Sequence, residues 1–299
     1  MKFIPNNLLK SLKLRHVVIS LIALGGINYL WDSFVEVKIP HIARIRINGQ
    51  IEDNNSKLIE AIRQVGNDNA AKALIISISS PGGTVYGSEA IHNAILAVRK
   101  HKPVIAEVLD TAASGAYQIA CACNSIVASN SSLVGSIGVL SVFPQVKPLL
   151  DKLGISFITI KSSPMKAEPL PFNAPNEEAI TMMRKLVLDY YHSFVQTIAK
   201  CRNMPYEKVL RLANGSIWSG SQAKKLGLVD IIGGEEAIIE SLRSSWKVDK
   251  SIRKIKDRTP YNYKTRFIES FVSEMIFGDV LPFIKNQSHG RLLAMWYHP

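Results

Sequence analysis

Residues 110–117, with the sequence DTAASGAY, join an apolar strand pattern at residues 104–108 to a helical pattern at residues 116–122. Ser114 lies at this strand-to-helix turn, where free backbone N–H groups and the positive end of a helix dipole favour a developing negative charge. Its small neighbours allow another backbone to approach closely. Serine is also a preferred N-cap residue, so the position taken alone predicts a helix cap before it predicts a nucleophile.

Strand and helix patterns alternate on both sides of this turn. The apolar strand pattern at residues 73–78 is followed by a break at residues 80–83 and a helical pattern at residues 85–98. Residues 155–160, ISFITI, read as a further strand, and residues 177–201 as a long amphipathic helix. Alternation of this kind predicts an α/β fold with a mostly parallel sheet, here with a helical extension. The other predicted elements are strands at 43–47 and 125–128 and helices at 57–65, 146–153, 206–213 and 235–242.

The amino-acid composition limits the classes of ligand that the chain is expected to bind. The chain has 299 residues, of which 47% are hydrophobic, and a net charge of +12. The basic residues are scattered and are not interleaved with aromatic ones, so we expect no nucleic-acid binding. The 3 cysteines form no CxxC pair and the histidines do not cluster, which predicts neither a disulfide framework nor a metal site. Cys121 and Cys123 are expected to be small buried packing residues, and no cofactor is predicted.

The N-terminal region predicts a membrane anchor. Lys2, Lys10, Lys13 and Arg15 precede an uncharged run at residues 17–31, VVISLIALGGINYLW. The run is shorter than the roughly 20 residues that span a bilayer comfortably, and no small-x-small cleavage site follows it cleanly. An uncleaved single-pass anchor is therefore favoured over a cleaved signal peptide. The basic residues should stay in the cytoplasm, which puts the rest of the chain outside.

Gly82 and Gly83 follow a strand and open a helix, as a phosphate-binding loop would. The chain has neither GxxxxGK[ST] nor GxGxxG at this point, so nucleotide binding is unsupported. Such a loop can instead aim a backbone N–H at a carbonyl oxygen that becomes an oxyanion, which contributes about 3 kcal/mol per donor. The N–H of Gly115 could be the second donor. The simpler interpretation of the two glycines is a tight turn that needs positive φ.

A nucleophilic Ser114 needs a base. His192 is the first histidine after it and falls in an amphipathic helical pattern, and GxSxG is absent around Ser114. The remaining common base is a lysine that burial keeps neutral. Lys166 is the candidate, because prolines and apolar residues flank it in the segment KSSPMKAEPLPF at residues 161–172. The pattern SxxK at Ser163 and Lys166 also occurs three more times in this basic chain, so it carries no weight.

Five segments taken together are more specific than any one of them. In order they are SSPGG (79–83), DTAASGAY (110–117), VGSIGV (134–139), the segment with Lys166, and WSGSQAKKLGLVD (218–230). Over roughly residues 42–242 they resemble the signal peptide peptidase A and SohB group of serine proteases, peptidase family S49. The resemblance implies a ClpP/crotonase-like fold and a Ser–Lys dyad. It makes Ser114 the nucleophile, Lys166 the general base, and Gly83 and Gly115 the oxyanion donors.

The same resemblance implies a bacterial enzyme of the cytoplasmic membrane that degrades remnant signal peptides and other small apolar peptides on the extracytoplasmic side. It also implies a homo-oligomeric ring in which neighbouring subunits share the dyad. Lys161 stays an alternative base, because the residues around Lys166 depart from the family context G-x-[YF]-K-[DRS]. A catalytically inactive scaffold and an acyl-CoA-binding protein are the other hypotheses. The apolar N-terminal run argues against the second, since CoA chemistry is cytoplasmic.

The predicted organisation has three parts. Residues 1–38 are a cytoplasmic stub and anchor, residues 39–245 the protease domain, and residues 246–299 a basic linker with an amphipathic tail. The tail has apolar residues at helical spacing over residues 267–284. We expect it to pack on the domain, lie on the membrane, or reach the active site as an internal substrate.

Overall fold

The computed structural model of the protein describes residues 39–174 and 176–260 and the backbone of residues 293–295. The described residues from Pro40 onward belong to one unit, and the predicted anchor at 17–31 and tail pattern at 267–284 lie outside the described residues. Within the part of the chain that is described, no helix is long and apolar enough to cross a membrane.

Long apolar runs form the centre of a mostly parallel sheet. The three long strands are β1 (His41–Asn48), β2 (Ala71–Ser80) and β4 (Val104–Ala113), and β2 pairs with both of the others in parallel. The shorter strands are β3 (Gly82–Thr84), β5 (Ser125–Ala128), β6 (Leu133–Gly135), β7 (Ile217–Ser219), β8 (Ile231–Ile232), β9 (Ile255–Asp257) and β10 (Leu293–Met295). The main sheet has the order β7–β6–β4–β2–β1–β9, with β5 paired to β4 and to β8. Only β6 and β7 pair antiparallel in it.

Helices follow the strands as the alternation predicted. They are α1 (Ser56–Asn67), α2 (Val85–Arg99), α3 (Gly115–Cys121), α4 (Lys147–Lys152), α5 (Glu177–Arg202), α6 (Tyr206–Leu212), α7 (Gly220–Leu226) and α8 (Glu235–Trp246). The long helix α5 starts where the Asn176 side chain accepts hydrogen bonds from the first-turn N–H groups, and it ends where Asn203 takes a left-handed φ of 51°. Both are ordinary capping devices, which explains why its bounds agree with the predicted ones to within a residue.

The period of two along β2 separates two hydrophobic cores. Leu74, Ile76 and Ile78 face a large core with α1, α2, α3 and α5, whereas Ala73 and Ile75 face a smaller core with α8. A strand buried on both faces reads as a continuous apolar run, which is the pattern seen in the sequence. The sheet is therefore covered on both sides, and the loops at its carboxyl edge are the part left to carry chemistry.

Two segments have a structure that differs from the one predicted from the sequence. Residues 155–160, predicted as a strand, pair with no strand among the described residues, and Ile158 and Ile160 are 93% and 95% exposed. Alternating apolar residues indicate a face that is buried against another surface. That surface need not belong to the same chain. Part of the predicted basic linker, β9, joins the sheet by pairing with β1 in parallel.

Cys121 and Cys123 are packing residues, as predicted. Cys121 and Cys123 are buried, and all three cysteines are free thiols. Burial raises the pKa of the Cys121 thiol to about 12, so it stays protonated at neutral pH. A protonated, buried thiol is neither a nucleophile nor a metal ligand.

Candidate active site

Ser114 lies in the tight turn between β4 and α3, as the sequence predicted. It has φ 54° and ψ −122°, a strained conformation for a residue with a Cβ. Its N–H donates to the Gly135 carbonyl at 2.7 Å, and its carbonyl accepts from the N–H of Tyr117 at 2.9 Å and of Gln118 at 3.1 Å. These bonds hold the turn in place on both sides.

The Ser114 hydroxyl is not used as a helix cap. Ser114 occupies the N-cap position of α3, but its side chain makes no capping hydrogen bond. The hydroxyl is fully buried, and its Oγ lies 3.5 Å from the Gly138 carbonyl. The capping hypothesis therefore does not explain this serine, whose hydroxyl makes only one long contact and is available for other chemistry.

Gly83 lies in β3 beside the backbone of Ile51. The Ile51 N–H donates to the Gly82 carbonyl at 2.8 Å, and the Thr84 N–H donates to the Ile51 carbonyl at 2.9 Å. In this parallel bridge the N–H and carbonyl of Gly83 itself point to the opposite edge of β3. A Cβ on Gly83 would stand 1.9 Å from the Ile51 oxygen, so only glycine fits there. The positive φ expected of a tight turn is found at Gly82, at 103°.

The sheet brings the two segments to one edge. β2 and β4 pair up to Ser80 and Ala112, just before Gly83 and Ser114 respectively. Both strands run in the same direction, so both turns leave the carboxyl edge of the sheet. Gly115 opens α3 directly after Ser114, and the first N–H groups of a helix have no acceptor within it. Ser114, Gly115 and Gly83 therefore lie at the same edge, as a nucleophile with two backbone donors would.

Lys166 is not part of this edge within the single chain. It lies in the loop after residues 155–160 and is exposed, whereas the sequence predicted a buried amine. Its backbone N–H donates to the Ser163 carbonyl at 3.2 Å, which closes a turn. Among the described contacts, none joins its side chain to Ser114. The prolines and apolar residues near Lys166 do not enclose its side chain, which stays exposed to solvent in the single chain.

Lys161, the alternative base, has a different environment. Its ammonium forms an ion pair with Glu168, and the two side chains are only 16% and 8% exposed. The hydrogen bond from Lys161, followed by one from the Leu170 N–H, lowers the pKa of the Glu168 carboxyl. The Glu168 carboxylate occupies the Lys161 ammonium, which disfavours Lys161 as the group that takes the proton from Ser114.

His192 and the acidic side chains of the described residues are further candidates for a functional role. His192 is exposed on α5, with Nδ1 2.7 Å from the Tyr206 hydroxyl, and it lies in the long helix that the amphipathic pattern predicted. Over residues 39–174 and 176–260, no three His, Cys, Asp or Glu side chains are grouped so that they could hold a metal ion.

Two segments contact the site although the sequence predicted no role in it for either of them. The first is residues 134–139, where Gly135 accepts from the Ser114 N–H, Ser136 has φ 48°, and the Gly138 carbonyl meets the serine hydroxyl. The glycines of VGSIGV were the available signal. The second is β10, which pairs antiparallel with β3 so that Ala294 lies opposite Gly83. A strand of three residues leaves too short a pattern to predict.

Comparison with known proteins gives a consistent picture. The model of peptidase family S49 matches residues 97–249. A putative signal peptide peptidase SppA of Enterococcus faecium is 32% identical over 79% of this chain and 71% of its own length. A putative protease of Synechocystis sp. is 38% identical over 65% of this chain and 70% of its own length. The chloroplastic serine protease SPPA of Arabidopsis thaliana is 35% identical over 75% of this chain and 32% of its own length.

Proposed function

The chain belongs to peptidase family S49 and is a serine peptidase, and from this premise we propose that Ser114 is its nucleophile and Lys166 its general base. The observation that carries the proposal is the buried, strained Ser114, whose hydroxyl does not cap the helix that it opens. Strain of this kind concentrates at functional positions. A fold of the ClpP/crotonase type agrees with the parallel sheet and with a nucleophile at the strand-to-helix turn.

In the proposed reaction Ser114 Oγ attacks the peptide carbonyl while the neutral amine of Lys166 accepts the hydroxyl proton. The N–H groups of Gly83 and Gly115 donate to the oxyanion, each contributing about 3 kcal/mol to the transition state. The intermediate then collapses, the C–N bond breaks, and Lys166 protonates the leaving amine. Water then attacks the acyl carbon while Lys166 accepts its proton, the C–Oγ bond breaks, and Lys166 returns the proton to Ser114 Oγ as the acid product leaves.

The dyad has to be completed by a second copy of the chain. Lys166 is exposed in the described chain, and the segment leading to it carries apolar side chains without cover. Further exposed apolar side chains lie in the first half of α5. The whole set is Leu140, Val146, Leu149, Leu153, Ile155, Phe157, Ile158, Ile160, Met182, Leu186 and Leu188. So many large exposed apolar side chains in one stretch of the chain favour a protein interface there. We refer to residues 140–172, which include Lys166, as the arm. We propose a homo-oligomeric ring in which the arm brings Lys166 to the Ser114 of the neighbouring subunit, where burial keeps the amine neutral.

Complementation between two inactive variants tests this arrangement. Ser114→Ala and Lys166→Ala chains, each inactive alone, should regain about a quarter of wild-type activity after equal amounts are mixed, dissociated and reassembled. A quarter of the sites then receive an intact serine from one chain and an intact lysine from its neighbour. Hydrolysis of a fluorogenic peptide measures the recovery.

The control is each variant taken through the same dissociation and reassembly by itself. If the mixture is as inactive as the controls while co-purification of differently tagged chains shows mixed oligomers, serine and lysine act within one chain and the shared dyad is wrong.

The Lys161–Glu168 pair should position the proposed base. Glu168→Gln removes the charge that holds Lys161, so the loop that bears Lys166 loses its anchor, and we expect kcat/KM to fall by roughly 10-fold to 100-fold. Because the pKa of Glu168 is lowered, the pair is complete above the ordinary carboxyl pKa and is lost as the pH falls through the lowered value.

Asp151→Asn is the matched control for this change. Asp151 forms an exposed ion pair with Lys147 in the same arm, and such pairs contribute little. Equal kcat/KM values for the two variants would show that the Glu168 pair has no positioning role.

The proposed substrates are extended apolar peptides that add a strand to the site, remnant signal peptides among them. The relative from Enterococcus faecium carries the name signal peptide peptidase, which supports this class. We further propose that residues 17–31 anchor the enzyme in the bacterial cytoplasmic membrane as a single span, with the catalytic unit on the extracytoplasmic side. The basic residues before the run support that orientation.

A further inference from the structure

His92 is a buried residue of α2 that contacts α3, the helix that begins directly after Ser114. It is only 5% exposed, and its Nδ1 lies 2.8 Å from the Gln118 carbonyl of α3. A carbonyl oxygen only accepts hydrogen bonds, so Nδ1 carries a proton and donates it. Burial lowers the pKa of His92, so its imidazole is neutral at pH 7 and has a single N–H, the one bonded to Gln118.

The Gln118 carbonyl belongs to a row of hydrogen bonds that begins at Ser114. The Gln118 N–H donates to the Ser114 carbonyl at 3.1 Å, one helical turn earlier. The next donor in that row would be the Ala122 N–H, but α3 has ended and this group donates to the Ile119 carbonyl at 3.0 Å instead. The last carbonyls of a helix have no donor within it. The His92 side chain supplies that donor from α2.

The two helices that His92 joins begin beside the two proposed oxyanion donors. The start of α2 directly follows β3, the strand of Gly83, and the Ser88 hydroxyl donates to the Thr84 carbonyl at 2.9 Å. Ser88 and His92 are four residues apart, so they are neighbours on one face of α2. Gly115 is the first residue of α3. His92 therefore connects the helix that follows one donor to the helix that contains the other.

Apolar contacts also hold α2 against α3, with Ile91 in the same core as Ala116. Such contacts are non-directional, so they do not fix how far α3 is shifted along α2. A hydrogen bond weakens steeply as its angle departs from linear, so it does fix this shift. Arg99, also on α2, donates to the Ala122 carbonyl at the longer distance of 3.3 Å. The bond from His92 is the shorter of the two and the nearer to the start of α3.

We infer that His92 is a positioning residue: its hydrogen bond to Gln118 holds α3 against α2 and thereby sets the spacing between the N–H groups of Gly83 and Gly115. The inference rests on the proposed function for the role of these two N–H groups. A displacement of about 1 Å in such an arrangement can cost about 10²-fold in rate. The oxyanion forms only during the reaction, so the loss should appear in kcat while KM stays the same.

Two substitutions of His92 separate its hydrogen bond from its packing. His92→Leu fills the space and has no donor, whereas His92→Asn is smaller but carries an amide nitrogen at the position of Nδ1. We expect kcat for a fluorogenic peptide to fall at least about 10-fold in His92→Leu and to stay within about threefold of the wild type in His92→Asn, with KM within about twofold in both. If packing alone mattered, the smaller asparagine would be the more damaging. A kcat in His92→Leu equal to or above that of His92→Asn would overturn the inference.

Lys102→Met is the control for a side-chain bond lost away from the site. Lys102 precedes the start of β4, whereas Ser114 follows its end, and the Lys102 Nζ donates to the Val65 carbonyl of α1 at 2.8 Å. Its loss should lower the thermal midpoint of unfolding and leave kcat within about twofold of the wild type. If Lys102→Met lost as much kcat as His92→Leu, reduced stability would explain both losses and the inference would be wrong.

Hydrogen exchange separates this inference from the proposed function, because it needs no activity. Exchange of the amides of residues 115–121, followed by mass spectrometry in the full-length chain, should be at least about 10-fold faster in His92→Leu than in the wild type or His92→Asn. If Ser114→Ala hydrolyses peptides as fast as the wild type but the exchange rates differ as expected, the proposed function fails and the positioning of α3 by His92 stands. If hydrolysis depends on Ser114 but both His92 variants match the wild type in kcat and in exchange, the inference fails and the proposed function stands.

Discussion

The variant Ser114→Ala should lose at least about 10³-fold in kcat for peptide hydrolysis, because no other group replaces an attacking hydroxyl. The fold should be retained. The Ser114 side chain makes one hydrogen bond, a long one of 3.5 Å to the Gly138 carbonyl, and the turn is held by backbone bonds that alanine keeps. Kinetics on a fluorogenic peptide and a thermal melt of the same sample measure the two effects.

Lys166 should be as indispensable as the serine, and the substitution chosen distinguishes its role. Lys166→Ala removes the amine and Lys166→Arg keeps a positive charge that cannot be lost at accessible pH. If Lys166 is the general base, both variants lose at least about 10³-fold in kcat. An electrostatic role would instead be rescued by arginine.

Lys152→Ala is the control for this pair of variants, since Lys152 is an exposed lysine of the same arm. Its activity should stay within about twofold of the wild type. Near-normal hydrolysis by Lys166→Ala together with loss in Lys161→Ala would transfer the base to Lys161.

The second large effect concerns stability. Arg202, at the end of α5, has a side chain only 9% exposed. Its Nη1 donates to the Asp230 carboxylate at 2.8 Å, and its Nη2 and Nε donate to the Gly227 carbonyl at 2.9 and 3.1 Å. The same carboxylate accepts from the Ile126 N–H at 2.8 Å, so one cluster joins α5, β5 and the turn after α7.

Arg202→Met should therefore lower the free energy of unfolding by about 3 kcal/mol, because it removes the charged partner of the Asp230 carboxylate and the side-chain donors to the Gly227 carbonyl. Lys147→Met breaks the exposed pair with Asp151 and should cost no more than about 0.5 kcal/mol. Urea denaturation of the two variants measures the difference. Similar losses in both would mean that burial of the Arg202 cluster has no energetic consequence.

The architecture was predictable where periodicity and burial agree. The apolar run of β2 and the capped, amphipathic α5 were both predicted correctly. Each of them buries its apolar side chains within the same chain. The turn at Ser114 was also predictable, since a run of small residues between a strand pattern and a helical pattern marks a turn. These signals are local, so one sequence is enough to read them.

The rest depends on contacts that a linear pattern does not encode. Residues 155–160 have the alternation of a strand but no partner strand among the described residues, because an apolar pattern does not say which molecule covers it. For the same reason the enclosure expected around Lys166 is absent from the single chain. The pairing of β10 with β3 joins residues about 210 positions apart through three residues, which leaves no period to detect.

The short bridge between Ile51 and Gly83 has a consequence for which proteins are at risk of cleavage. It fixes β3 so that Gly83 offers one N–H and one carbonyl to whatever lies alongside. In an α-helix the backbone N–H and carbonyl groups are already hydrogen-bonded to each other. In a strand inside a folded domain they are hydrogen-bonded to the neighbouring strands. If Gly83 and Ser114 act as proposed, we expect only an unwound stretch to dock, so that folded membrane proteins are spared and released peptide remnants are cleaved.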